Sequence, residues 1–396
     1  MSDLDSKQDL GPALMTITPQ ATHREVSAAY ESAQRKCPVH QLMLPDGGKF
    51  WAVIGEPELD TVLKDAAQFS SAIYHFGNEP AIPIEMDPPQ HTEFRQLLNK
   101  FINPASSKLL ESDIRRYVIE ALEPFVAAGG GDIAPLARAL PMRVLCRLMG
   151  IPEAEAAELA RTQVQLAPAD MVATGEAAAQ ARFAGLIPVL EYGRKLIAAR
   201  RIKPEDDLVS GLLEGQIQGR PITDEEVLQM LKLLLLAGHE TTGGAIAGAT
   251  LLMAQHPDAQ STLRANTDAI PRAVEECLRV EAPVQTLDRK VVADIELGGV
   301  AMKAGDVVMT MYGAANFDER KSKCPADFDI DRRPNQHLTF GRGIHACLGA
   351  PIARMEIRIF LEEILARTSS INLRSLRRNR WPDLSPALLD VELIAR

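Results

Sequence analysis

The stretch "HLTFGRGIHACLGAPIAR", residues 337–354, places three glycines, two histidines and one cysteine within eighteen positions. Gly341, Gly343 and Gly349 allow backbone dihedrals and close approaches that a residue with a Cβ resists. The following "APIARMEIRIFLEEIL" predicts a helix from about residue 349, with Pro351 tolerated in its first turn. Cys347 therefore stands at a helix N-terminus, where free amides and the positive end of the dipole favour an anionic sulfur.

Three readings of Cys347 compete. A lone cysteine is most often a small buried hydrophobe. As a zinc ligand it lacks partners, because His345 has no second Cys/His pair at a usual spacing. The third reading is a single axial thiolate on an iron porphyrin, and the glycines and the helix start favour it.

Phe340-Gly341-Arg342-Gly343-Ile344-His345-Ala346-Cys347-Leu348-Gly349 resembles the haem-binding loop of the cytochrome P450 family, Phe-Gly-x-Gly-x-His-x-Cys-x-Gly, with every signature position present. The resemblance implies haem b, with Cys347 as the iron ligand and His345 on a haem propionate. It implies that Phe340 shields the sulfur, that Gly341 shapes the loop, and that Gly349 lets the next helix approach the porphyrin.

Three further segments follow the same family in the right order. "TDEEVLQMLKLL" opens a helix with capping-box spacing, Thr223 to Glu226, and the apolar pattern runs to about Gln255. Such a rod is roughly 48 Å long. Near its middle, "AGHETT" sets an acid beside two hydroxyls in a very apolar helix, which is costly without partners or work. The plain alternative is tight helix packing around a solvated charge. In the family this segment crosses the distal haem face, bringing Ala237 and Gly238 to the cofactor. Glu240 and Thr241 then form an acid–alcohol pair that delivers protons to dioxygen or an ordered water. A local helix distortion is expected there, with His239 structural or tuning the acid.

"AVEECLRVEAP" carries Glu276 and Arg279 on one helix face, worth only tenths of a kcal/mol if exposed. The family implies a buried network instead, completed by Arg332 or Arg333. "MDPPQHTEFRQLLNK" starts a helix after a double proline, with His91 and Arg95 at i,i+4. By resemblance these two join Arg289 and His345 around the propionates.

The remaining segments fit a mainly α chain with a smaller β portion. Helices are expected over about 23–35, 56–66, 105–127, 136–149, 153–163, 174–200, 258–265 and 268–280. Strands are expected at 49–55, within 289–317 and in "LLDVELIAR". The run Ala127 to Asp132 reads as a helix stop and turn. We expect a single domain over 1–396, with a flexible segment at 1–20 and the haem between a long distal helix and the Cys-loop helix.

The net charge of −10 gives no pull toward nucleic acid or anionic membrane. The five scattered cysteines form no disulfide framework, and the N-terminus has no apolar signal core, so a cytoplasmic protein is expected.

The resemblance is to bacterial members supplied by a separate ferredoxin and ferredoxin reductase with NAD(P)H, somewhat like the camphor-hydroxylating group. It implies O2-dependent hydroxylation, O-dealkylation or epoxidation of a small, largely apolar molecule, such as a terpenoid or an aromatic. Pocket candidates are Tyr74, His75, Phe76, Ile82, Val284, Leu287 and Pro386, and Arg95, Arg342 and Arg354 are docking candidates. A peroxide-driven enzyme of this fold and a non-catalytic haem sensor are the alternatives. The acid–alcohol pair argues against the first.

Overall fold

In a computed structural model of the chain, residues 17–43, 49–73, 79–164, 176–379 and 383–396 are described, without the side chains of 43, 157 and 160–186. The expected flexible segment at 1–20 falls almost wholly outside them, as do Tyr74, His75 and Phe76.

Five helices position the site. They are α1 (Gln90–Asn99), α2 (Ala134–Met149), α3 (Asp224–Gln255), α4 (Ile270–Val280) and α5 (Ala350–Arg367). The Thr223 hydroxyl accepts from the Glu226 amide while the Glu226 carboxylate accepts from the Thr223 amide, so two orphan donors are met where α3 begins. From there the helix runs 32 residues without a break. Ile246, Leu251, Leu252 and Met253 are fully buried, in one apolar cluster with Ile359, Phe360, Leu361 and Ile364 of α5. A helix buried on nearly every side must be apolar all round, which is why its few polar residues matter.

A mixed sheet flanks these helices, made by β1 (Val39–Met43), β2 (Lys49–Val53), β3 (Phe69–Ser70), β5 (Thr286–Val291) and β6 (Val307–Met311) in the order β1-β2-β6-β5-β3. Only β2 and β6 run parallel. The second sheet joins β4 (Gly130–Asp132), β7 (Thr368–Arg378) and β8 (Pro386–Ala395) in the order β7-β8-β4.

The structure departs from expectation in four places. The helix expected over 105–127 is two, Pro104–Lys108 and Glu111–Ala127, the first capped by the Asn103 side chain. The Gly129–Gly131 turn continues into β4, because positive φ at all three glycines turns the chain onto β8. Strand β7 is polar and shifts register three times against β8, so no alternation marked it. The distal helix, expected to be distorted, runs unbroken through its 32 residues, and Thr241 Oγ1 donates to the Ala237 carbonyl at 2.5 Å.

Candidate functional site

The loop before α5 is folded by its own backbone. The Cys347 amide donates to the Phe340 carbonyl at 2.8 Å, and Gly341 and Gly343 take φ of +65° and +71°. A Cβ on Gly343 would lie 2.2 Å from the Leu63 carbonyl oxygen, so only glycine fits. At Gly349 the constraint is opposite: nothing stands within 4 Å of where a Cβ would point. Cys347 keeps accessible surface, yet burial pushes its thiol up, so it borders a hollow in the protein. The Gly349 amide, Arg95, the Ala350 amide and Arg354 oppose that push and favour the thiolate. Arg354 also lies over the Phe340 ring, 4.4 Å from its centroid, and is held by two bonds of 2.7 and 2.8 Å to Glu275.

Beside the loop, hydrogen-bond donors gather. The His91 and His345 rings stand 4.2 Å apart between centroids. His91 is buried with neither ring nitrogen bonded, and His345 Nε2 is likewise buried and unbonded. Burial, helped by Arg289, His91 and Arg95, pushes His345 down to about 3, so the ring is neutral. His91 is lowered too, by burial and then by Arg95. Arg95 reaches the Ala346 carbonyl at 2.6 Å, and buried Arg289 bonds the Asp288 carbonyl at 2.7 Å. Among the described residues neither arginine has a carboxylate partner. Half-buried Arg95, buried Arg289, the unbonded His91 ring and the free Nε2 of His345 together make a donor-rich site for an anion.

A network on α4 holds the loop in place. Arg279 donates to both Glu276 oxygens at 2.8 Å and to the carbonyls of Asn316, Pro325 and Asp327. Arg332, and not Arg333, completes the group, with Nε 3.1 and 3.2 Å from the two oxygens. Asn335 and the Asp329 amide add two more bonds to Glu276, partners that the Glu-x-x-Arg spacing alone does not reveal.

On α3, Ala237 is exposed within an otherwise buried helix, and Glu240 and Thr241 are half-buried. Burial raises the Glu240 carboxyl while Arg138 of α2 opposes it, through a 3.1 Å bond from Arg138 Nε. Buried His239 lies 3.5 Å from Glu240, its nitrogens unbonded, and burial takes it down to about 4. Gly238 faces another way: its absent Cβ would meet Leu145 of α2 at 3.0 Å. Its lack of a side chain lets α3 pack closely against α2.

These features match a known architecture across nearly the whole chain. Residues 168–371 fit the family model for cytochrome P450. A putative cytochrome P450, YjiB of Bacillus subtilis, is 33% identical over 92% of this chain and 93% of its own. The chain belongs to the cytochrome P450 family. Mycinamicin IV hydroxylase/epoxidase of Micromonospora griseorubida is also 33% identical, over 88% of this chain and 89% of that protein. The structure of a P450 EryK mutant in complex with erythromycin B superposes with a TM-score of 0.85 at 29% identity, covering 95% and 98% of the two chains. The protein is thus a cytochrome P450 monooxygenase, and its family carries protoporphyrin IX haem on a cysteine thiolate. In this fold the haem lies between α3 and α5. The open space at Gly349, the accessible Cys347, the unbonded His91 ring and the unbonded Nε2 of His345 suit that group.

The remaining P450 expectations fare unevenly. Ile82 is buried in an apolar cluster with Phe94 and Leu97. Val284 and Leu287 are half-buried against the sheet cluster, and Pro386 is buried where β8 begins. The docking candidates are engaged: Arg342 with Asp60 and Glu56, Arg354 with Glu275, and Arg95 with Ala346. Arg138 was not foreseen, since it reaches Glu240 from 102 positions away and no local pattern connects them.

Proposed function

We propose that Cys347 is the axial ligand of the haem, and that His91, Arg95, Arg289 and His345 hold its propionates. The observation that carries this reading is the group beside the cysteine loop of two arginines without a carboxylate partner among the described residues and two imidazoles with buried, unbonded nitrogens. Each donor would gain a charge-assisted bond, and two carboxylates would be neutralised away from water.

When bound, haem supplies the oxygen activation, in which RH, O2, two electrons and two protons give ROH and water. The amides of Gly349 and Ala350 hold negative charge at Cys347 Sγ. Phe340 and the stacked Arg354 cover the loop beside it. Thr241 offers its hydroxyl from a half-buried stretch of α3, and Glu240, the residue before it, passes protons toward it. The Glu276 network keeps the loop's geometry without touching the reaction.

In our reading a separate ferredoxin and its NAD(P)H-dependent reductase supply electrons in the cytoplasm. The substrate is a small apolar molecule, a terpenoid or an aromatic, which is hydroxylated, O-dealkylated or epoxidised. The half-buried apolar Val284 and Leu287 support an apolar contact surface.

The test is the reduced carbon monoxide difference spectrum of wild type and Cys347→Ala. The thiolate band is expected only in wild type, and its survival in the variant overturns the ligand assignment. Turnover with ferredoxin and reductase is compared with turnover on peroxide alone. Equal rates would replace the monooxygenase reading by a peroxygenase.

A further inference from the structure

Glu275 stands one residue before the Glu276 of the buried network on α4, yet it serves different partners. It accepts from Arg354 Nε and Nη2 at 2.7 and 2.8 Å, and His337 Nε2 lies 3.1 Å from its Oε2. Nδ1 of His337 accepts from the Thr339 amide at 3.3 Å, so Nε2 carries the proton and donates to Glu275. Burial pushes the Glu275 carboxyl up, but the bonds from His337 and Arg354 outweigh it and leave the group at about 2. Both partners border one ring. Arg354 lies 4.4 Å from the Phe340 centroid, and the His337 ring lies 6.0 Å from it. Phe340 in turn gives its carbonyl to the Cys347 amide at 2.8 Å. One carboxylate thus holds the two side chains that frame the ring beside the cysteine.

Resting on Cys347 as the haem ligand, we propose that Glu275 is a positioning residue that sets the haem's reduction potential, by keeping the Arg354 cation paired and fixed over Phe340 beside the thiolate. Reduction adds one electron, drawn from the ferredoxin-class donor, to the haem–thiolate unit and breaks no bond in the chain. A nearby cation favours the added charge and a carboxylate opposes it. Arg354 already favours negative charge at Cys347 Sγ. Pairing with Glu275 damps that help, while stacking on Phe340 keeps the guanidinium in place. The Arg354 and Glu275 side chains are 41% and 29% exposed. Exposed pairs of this kind add little to stability. A charge fixed within reach of the sulfur acts on the potential all the same.

The test uses full-length holoprotein carrying Arg354→Gln, Arg354→Lys, Glu275→Gln, or both Gln substitutions together. Spectroelectrochemical titration reads the ferric–ferrous midpoint, and the reduced carbon monoxide spectrum checks that the thiolate stays bound. Arg354→Gln leaves the Glu275 charge unmatched, so reduction should become about tenfold less favourable, ~59 mV for one electron. Glu275→Gln keeps the shape and an acceptor for Arg354 but frees its charge, so the midpoint should rise by a similar factor. The double variant should return toward wild type. Arg354→Lys keeps the charge and loses the planar fork, so its midpoint should lie nearer wild type than that of Arg354→Gln. Added salt should shrink every shift.

Loosening of the loop would move both single variants the same way, and that result, or unmoved midpoints, overturns the proposal. A midpoint in Arg354→Lys as low as in Arg354→Gln also overturns it, by removing charge as the cause. If Arg354→Gln fails to hold haem, Glu275→Gln decides alone: a fall, no shift or a salt-insensitive shift sinks the clamp. No thiolate band in wild type would overturn the ligand assignment beneath it, whereas a wild-type band with unmoved midpoints removes Glu275 alone.

Discussion

Thr241 spends its hydroxyl proton on the Ala237 carbonyl, so its oxygen is free to accept while its donor is taken. To donate toward the reacting oxygen the hydroxyl must turn, which costs little because the helix keeps its own backbone bonds. Thr241→Ala should therefore leave the helix and substrate affinity nearly intact. Product per NAD(P)H should fall several-fold, measured by paired product and cofactor assays. His239 behaves differently, since its ring is neutral in the fold at about 4 and near 6.5 when unfolded. A folded value below the unfolded one means stability is whole above about pH 6.5 and declines as pH falls toward 4. That single proton is worth ~2 kcal/mol between pH 7 and 5. Urea unfolding at both pH values should show a smaller loss for His239→Gln than for wild type.

Among the elements, the cysteine loop and α4 carry the strictest demands. Gly343→Ala sets a Cβ against the Leu63 carbonyl at a positive φ, and should cost ~2 kcal/mol with weakened haem retention. Haem transfer to an excess of apomyoglobin measures that retention. Glu276→Ala leaves Arg279 and Arg332 in a buried site without their carboxylate, so a loss of ~3–5 kcal/mol is expected. Chemical denaturation followed by circular dichroism would read it. The loop was legible because its glycines and cysteine sit in one contiguous run, and α3 because its capping box and apolar length are local. Arg138, Asn335 and β7 were not legible, for the contacts that define them join residues far apart in the chain. The close packing of Gly238 against Leu145 is equally long-range and leaves no local mark.

Across the molecule, the second sheet and the helices meet at α3. There α2 supplies Arg138, and the β7–β8 hairpin supplies Pro386, Ser385 and Asp383. The glycine run just before α2 binds these parts to each other. β4 pairs with β8 through Gly131 opposite Val391, and the Ile133 amide donates to the Leu389 carbonyl at 2.9 Å. A Cβ on Gly130 would lie 2.1 Å from the Val391 carbonyl oxygen. The start of α2 and the strand that leaves the hairpin are thus laced together only a few residues from Arg138 and Pro386. For anyone diversifying this enzyme toward new substrates, that lacing separates what to randomise from what to leave alone. Libraries aimed at residues 383–387 would reshape the hairpin tip, while Gly129–Asp132 should stay fixed as the hinge pin on which both walls hang.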